Sequence, residues 1–109
     1  LCNILVCLAV WLTFSARSTT DKIAAIIFPI TAFVAAGFEH SVANMYFVPI
    51  GLAIKDFDPT FAASTGLDLS GLTWGAFLLN NLLPVTIGNV IGGSVFVAAI
   101  YWMIFLRKA

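Results

Sequence analysis

Glu39 and His40 stand side by side in an apolar run that extends from Ile23 to Ile54, bracketed by Lys22 and Lys55. They are the run's only acidic or basic side chains, and His40 is the single His of the chain. Ser41 and Asn44 add two more polar groups at the same place. An acid and an imidazole at bilayer depth cost several kcal/mol unless they face protein or a watery path, so such groups mark sites of function. An imidazole changes charge near neutral pH. In a pore it can attract an anion and then share a proton with it. The same ring could instead be satisfied by a carbonyl and simply hold a broken helix together.

The neighbouring candidates divide in the same way. Glu39 points about 100° away from His40 on a helix or turn, which suits a structural partner better than a second pore group. A buried carboxylate needs a cation or several donors, and the visible spans offer no cation. Asn44 lies four residues after His40, and Asn3 lies near the middle of the first apolar segment. Either amide can cross-bond two helices for about 1 kcal/mol. Phe33, seven residues before His40, falls about two turns along one face. Read alone, a Phe there packs or faces lipid, while a pore-lining Phe would form a dry constriction that gates by dewetting.

The elements that must position these groups follow from lengths. Leu1–Phe14 is apolar but shorter than the roughly 20 residues a span needs, so it reads as the end of a span whose start is missing. Residues 15–22 form a turn, with Thr20 or Asp21 as a helix cap. The 32 residues of 23–54 would reach about 48 Å as one helix, against a hydrocarbon core of about 30 Å. Gly37 and the polar insert therefore predict a break at 36–40, between helices over 23–35 and 41–53. Non-helical backbone at that depth is tolerated only where it is buried in protein or lines a cavity. Residues 55–72 read as an exposed loop and 72–81 as an interfacial helix, so the outer segment covers 55–81. The last span covers 82–106. In that span Gly88 and Gly92 form a GxxxG pair for close helix approach, and Asn89 can bond to the neighbour's backbone.

Composition places the chain in a membrane. It is 61% hydrophobic and 9% charged, with net charge zero and a mean hydropathy of +1.07. That excludes an ordinary soluble domain and a basic nucleic-acid-binding face. Arg17, Lys22, Arg107 and Lys108 fall on one side and only Lys55 on the other, which predicts a cytoplasmic C-terminus and an outer 55–72 loop. Cys2 and Cys7 match neither a redox nor a zinc spacing and read as inert. No phosphate loop, metal-ligand cluster or nucleophile–base pair is present, so neither enzyme chemistry nor a cofactor or metal is expected.

Two long stretches carry a resemblance. Ala32-Phe33-Val34-Ala35-Ala36-Gly37-Phe38-Glu39-His40-Ser41-Val42-Ala43-Asn44-Met45-Tyr46 resembles the fifth-helix signature of the formate/nitrite transporter family. Leu83-Pro84-Val85-Thr86-Ile87-Gly88-Asn89-Val90-Ile91-Gly92-Gly93 resembles its sixth-helix signature. The resemblance implies an all-α membrane fold of six spans in two inverted halves, aquaporin-like, of which this chain would be the C-terminal half. It implies homopentamers with one pore per protomer in the bacterial inner membrane. His40 would then be the central pore His and Phe33 a constriction residue. Glu39, Asn3 and Asn44 would belong to a polar network completed by a Lys that precedes Leu1. Met45–Leu52 and Lys55-Asp56-Phe57 look closest to the formate branch. Nitrite, hydrosulfide or a neutral solute such as water or glycerol remain alternatives for the pore, and a purely structural membrane subunit remains one for the whole.

Overall fold

Every regular element of the computed structural model, which describes residues 1–107, is helical. Lys108, counted above toward orientation, lies outside the described residues. The chain divides into two compact units, one built from Leu1–Glu39 and the chain from Ile87 onward, the other from His40–Thr86. Among the described residues the main helices are α1 (Cys2–Leu12), followed by a 3-10 turn over Thr13–Ser15, α2 (Thr19–Ala35), α3 (Ser41–Phe57), α4 (Pro59–Ser64) and α5 (Trp74–Leu106).

The break in the long apolar run falls between Ala35 and Ser41, where the excess length demanded it. Its first half is a glycine-terminated helix end. Gly37 has a φ of 66°, which glycine adopts without a Cβ penalty. The Gly37 N–H donates to Val34 O at 3.1 Å and the Phe38 N–H to Phe33 O at 3.0 Å. These two bonds satisfy carbonyls that the end of α2 would otherwise orphan. At its other end α2 is capped by Ser18 rather than Thr20 or Asp21. Ser18 Oγ accepts from the Asp21 N–H, and Asp21 Oδ2 accepts from the Ser18 N–H, both at 3.1 Å. The reciprocal pair satisfies two donors at once, which a lone Thr20 or Asp21 cap could not.

In the first unit α1 packs along α2 and meets the C-terminal part of α5 at two adjacent glycines. A Cβ on Gly92 would lie 3.6 Å from Ile4 Cγ1; on Gly93 it would lie 3.1 Å from Asn3 Nδ2 and 3.3 Å from Cys7 Sγ. A Cβ on Gly88 would meet no described atom within 4 Å. The close approach is thus made by Gly92 and Gly93, and Gly88 takes no part in it. Gly92→Leu and Gly93→Leu should each lower the yield of assembled full-length protein on size exclusion in detergent, Gly93→Leu the more severely. Further along, Trp11 closes this unit edge-on against Tyr101, with ring centroids 4.4 Å apart.

The second unit corrects two sequence expectations. Residues 55–72 are not a plain loop: α3 continues to Phe57, and α4 follows at once. Asp58 caps α4, its Oδ1 accepting from the Phe61 N–H at 2.9 Å, with Pro59 in the first turn where a missing N–H costs nothing. The remaining turn is tied down by Lys55, whose Nζ donates to Leu69 O at 2.8 Å and Leu72 O at 2.7 Å. Within that turn the Ser70 N–H holds the Asp68 carboxyl below the usual carboxylate range.

The second correction concerns the end of the chain. No separate interfacial helix precedes the last span. α5 starts at Trp74, capped by Thr73, and runs through residue 82 to Leu106. Pro84 removes one helical bond and crowds the carbonyl of Asn80. The helix is wound as a wider π-turn over Phe77–Leu82, just before this proline, and continues where the sequence suggested a restart. At 33 residues α5 would measure about 50 Å, long and apolar enough to cross a bilayer. Phe28, Leu79 and Leu106 are among the many large apolar side chains left exposed on α2 and α5, a surface suited to lipid or to other helices.

Candidate functional site

His40 is the N-cap of α3. Its Nδ1 accepts from the Val42 N–H at 3.3 Å, and its carbonyl accepts from the Asn44 N–H at 2.9 Å, the first bond of the helix. Ser, Thr, Asp and Asn are the usual caps, so an imidazole here is uncommon. With Nδ1 accepting, the neutral ring carries its proton on Nε2. The ring is half-buried.

The seven-residue interval between Phe33 and His40 places them on no common helical face, because α2 ends between them. Phe33 belongs to the last turn of α2 and is 8% exposed, while Val34 beside it is 64% exposed. A side chain that covered is not a lipid-facing ring.

Two sets of hydrogen bonds among the polar residues are described, one within each unit. In the first unit Asn3 Nδ2 donates to Asn89 O at 2.8 Å, and Asn89 Nδ2 donates to the backbone carbonyl of Glu39 at 3.0 Å. Asn89 therefore links the two, 7% exposed, and it donates to a carbonyl of the helix break. Buried non-helical backbone requires a bond of that kind. Sequence reading had placed Asn89 with the packing glycines. Both roles meet there, since Asn89 precedes Gly92 by three residues on α5.

The second group lies in the other unit. Asn44 Nδ2 donates to Asn81 Oδ1 at 2.8 Å, one turn along α3 from His40. Asn81 was missed from sequence, although an Asn pair at 80–81 just before an apolar span carries the same signal that drew attention to Glu39 and His40.

Comparison with known proteins agrees with this architecture. A family model described as formate/nitrite transporter matches residues 1–103. The formate channel FocA of Escherichia coli K12 is 48% identical, over 99% of this chain and 39% of its own. A probable formate transporter of Methanothermobacter thermautotrophicus is 49% identical, over 98% of this chain and 34% of its own. A solved pentameric formate channel with formate bound matches at 53% identity with a TM-score of 0.84, over 97% of this chain and 43% of that one. The chain thus spans between about a third and two fifths of the length of the curated relatives it matches.

Proposed function

The chain belongs to the formate/nitrite transporter family, and from that premise we propose that the full-length protein is a membrane channel for small monovalent anions of weak acids, formate foremost. The carrying observation is the helix break itself, closed on one side by Gly37 and on the other by the imidazole cap of His40. An anion drawn to this point meets the one group of the chain able to hand it a proton near neutral pH. Sharing that proton lets the anion pass a dry constriction as the neutral acid, whereas a bare ion there would bear a heavy desolvation cost. Phe33 is the constriction in this reading. Asn3, Asn89 and the Glu39 carbonyl hold the break, and Asn44 fixes the start of α3.

The same reading places the protein as a homopentamer in a bacterial inner membrane, in contact with lipid and with its C-terminus in the cytoplasm. Relatives named as channels and transporters support a transport role rather than an enzymatic one. The solved neighbour is itself pentameric with formate bound. The basic residues Arg17, Lys22 and Arg107 on one side support the orientation.

The test separates this pore from one for water or glycerol. Full-length protein in proteoliposomes should give saturable formate entry and no swelling in glycerol beyond that of empty vesicles. Glycerol-driven swelling without formate flux would replace the anion reading by the neutral-solute one.

A further inference from the structure

Within the second unit α3 and the N-terminal part of α5 present two matched stripes. Asn44 and Val48 are one turn apart on α3; Phe77 and Asn81 are one turn apart on α5, with Thr73 one turn earlier at the cap. The stripes join where Asn44 donates to Asn81. Beside that bond opens a cavity of about 210 Å³, lined by Val48, Leu72, Thr73, Phe77 and Asn81 among others, with no carboxylate in its wall. At about 30 Å³ per water, it has room for a small carboxylate with part of its hydration.

The bond also orients Asn81. Its Oδ1 is the acceptor for Asn44, and its amide nitrogen makes no hydrogen bond to any described residue. That nitrogen carries two donors and no acceptor. Thr73 Oγ1, the other polar side-chain atom in the wall, already accepts from the Ala76 N–H. The Asn81 nitrogen is not sealed from solvent, so its two N–H groups are open to an acceptor in the groove, and a charged acceptor is held best.

We propose that Asn81 is an anion-contacting residue on the outer approach to His40, its amide N–H groups holding an oxygen of a small monovalent oxyanion in the cavity beside Thr73. The proposal rests on the channel reading above and adds a station beside Val48, about two helical turns along α3 from the imidazole cap. The competing role for Asn81 is a brace that only positions Asn44.

One substitution separates the two roles. Asn81→Asp keeps an oxygen to accept from Asn44 Nδ2, so a brace survives; it removes the amide donors and places a negative charge where the anion would sit. In full-length protein reconstituted in proteoliposomes, the KM for formate should rise about tenfold or more, as loss of hydrogen bonds to a charged group implies. The maximal rate and the size-exclusion profile should stay near those of the parent. An unchanged KM in assembled Asn81→Asp would overturn the proposal and leave the brace. Should that variant not assemble, Asn81→Ser, whose shorter side chain gives up both the bond to Asn44 and the amide donors, is compared with Asn44→Ala, which gives up the bond alone; only Asn81→Ser should raise KM, about threefold, and an equal KM in the two would overturn the proposal. A parent protein with no saturable formate flux is a different outcome. It would remove the channel reading on which the station depends.

Discussion

His40→Asn in the full-length protein is expected to lose proton-coupled formate uptake while keeping its fold. Asn is among the best helix caps, and its side-chain oxygen can take over the acceptor role that Nδ1 now plays for the Val42 N–H. The start of α3 should therefore survive, together with the Asn44–Asn81 bond one turn on. What disappears is the only side chain in the chain able to carry a proton near neutral pH. A positioned proton donor contributes about a hundredfold or more to the step it serves, so uptake driven by an inward proton gradient should fall by that order. The residual flux should no longer vary between about pH 5 and 8, the window in which an imidazole titrates. A variant retaining the parent's rate and pH profile would leave His40 with the cap as its whole role.

Phe33→Ala should act on selectivity and leave the proton step intact. The ring is 8% exposed, although Ile23, Ile27, Phe28 and Val34 on the same helix are each more than half exposed. If that ring forms the dry constriction, its removal widens the narrowest point by most of a side chain. Discrimination between formate and a larger monocarboxylate such as acetate should then fall about tenfold, the scale on which an apolar pocket distinguishes ligands by one carbon. Formate flux itself should rise or hold. An unchanged formate-to-acetate ratio would assign Phe33 to packing.

Much of this architecture was legible in the sequence, for reasons that differ between elements. The break was legible because 32 apolar residues exceed what one bilayer crossing can hold and because Gly37 supplies the left-handed conformation a helix end favours. The restart at Ser41 followed from the same break, but the imidazole cap did not, since His is not a residue one expects at a cap. The outer segment was misjudged where the determining partners are backbone carbonyls. Lys55 clamps Leu69 and Leu72 through their main-chain oxygens, which no residue type announces. The continuity of α5 was obscured by Asn80, Asn81 and Pro84, each a normal sign of a helix boundary; the π-turn over Phe77–Leu82 is a property of the folded helix. The glycines were placed on the correct helix, but the contact selects Gly92 and Gly93 because α1 meets α5 at Ile4 and Asn3. Asn89 shows the same limit. Its residue type predicted a cross-helix bond, and only the fold shows that the acceptor is the Glu39 carbonyl inside the break.

The proton is the part of the mechanism most open to direct measurement. Full-length protein in proteoliposomes, with formate and proton entry recorded together at several pH values, should take up close to one proton per formate under acidic conditions. That ratio should decline as the medium is made alkaline, and the coupling should be lost in His40→Asn. Formate entry carried wholly as charge, with no accompanying proton at any pH, would contradict proton sharing at His40 and leave the helix break as a purely electrostatic guide for the anion.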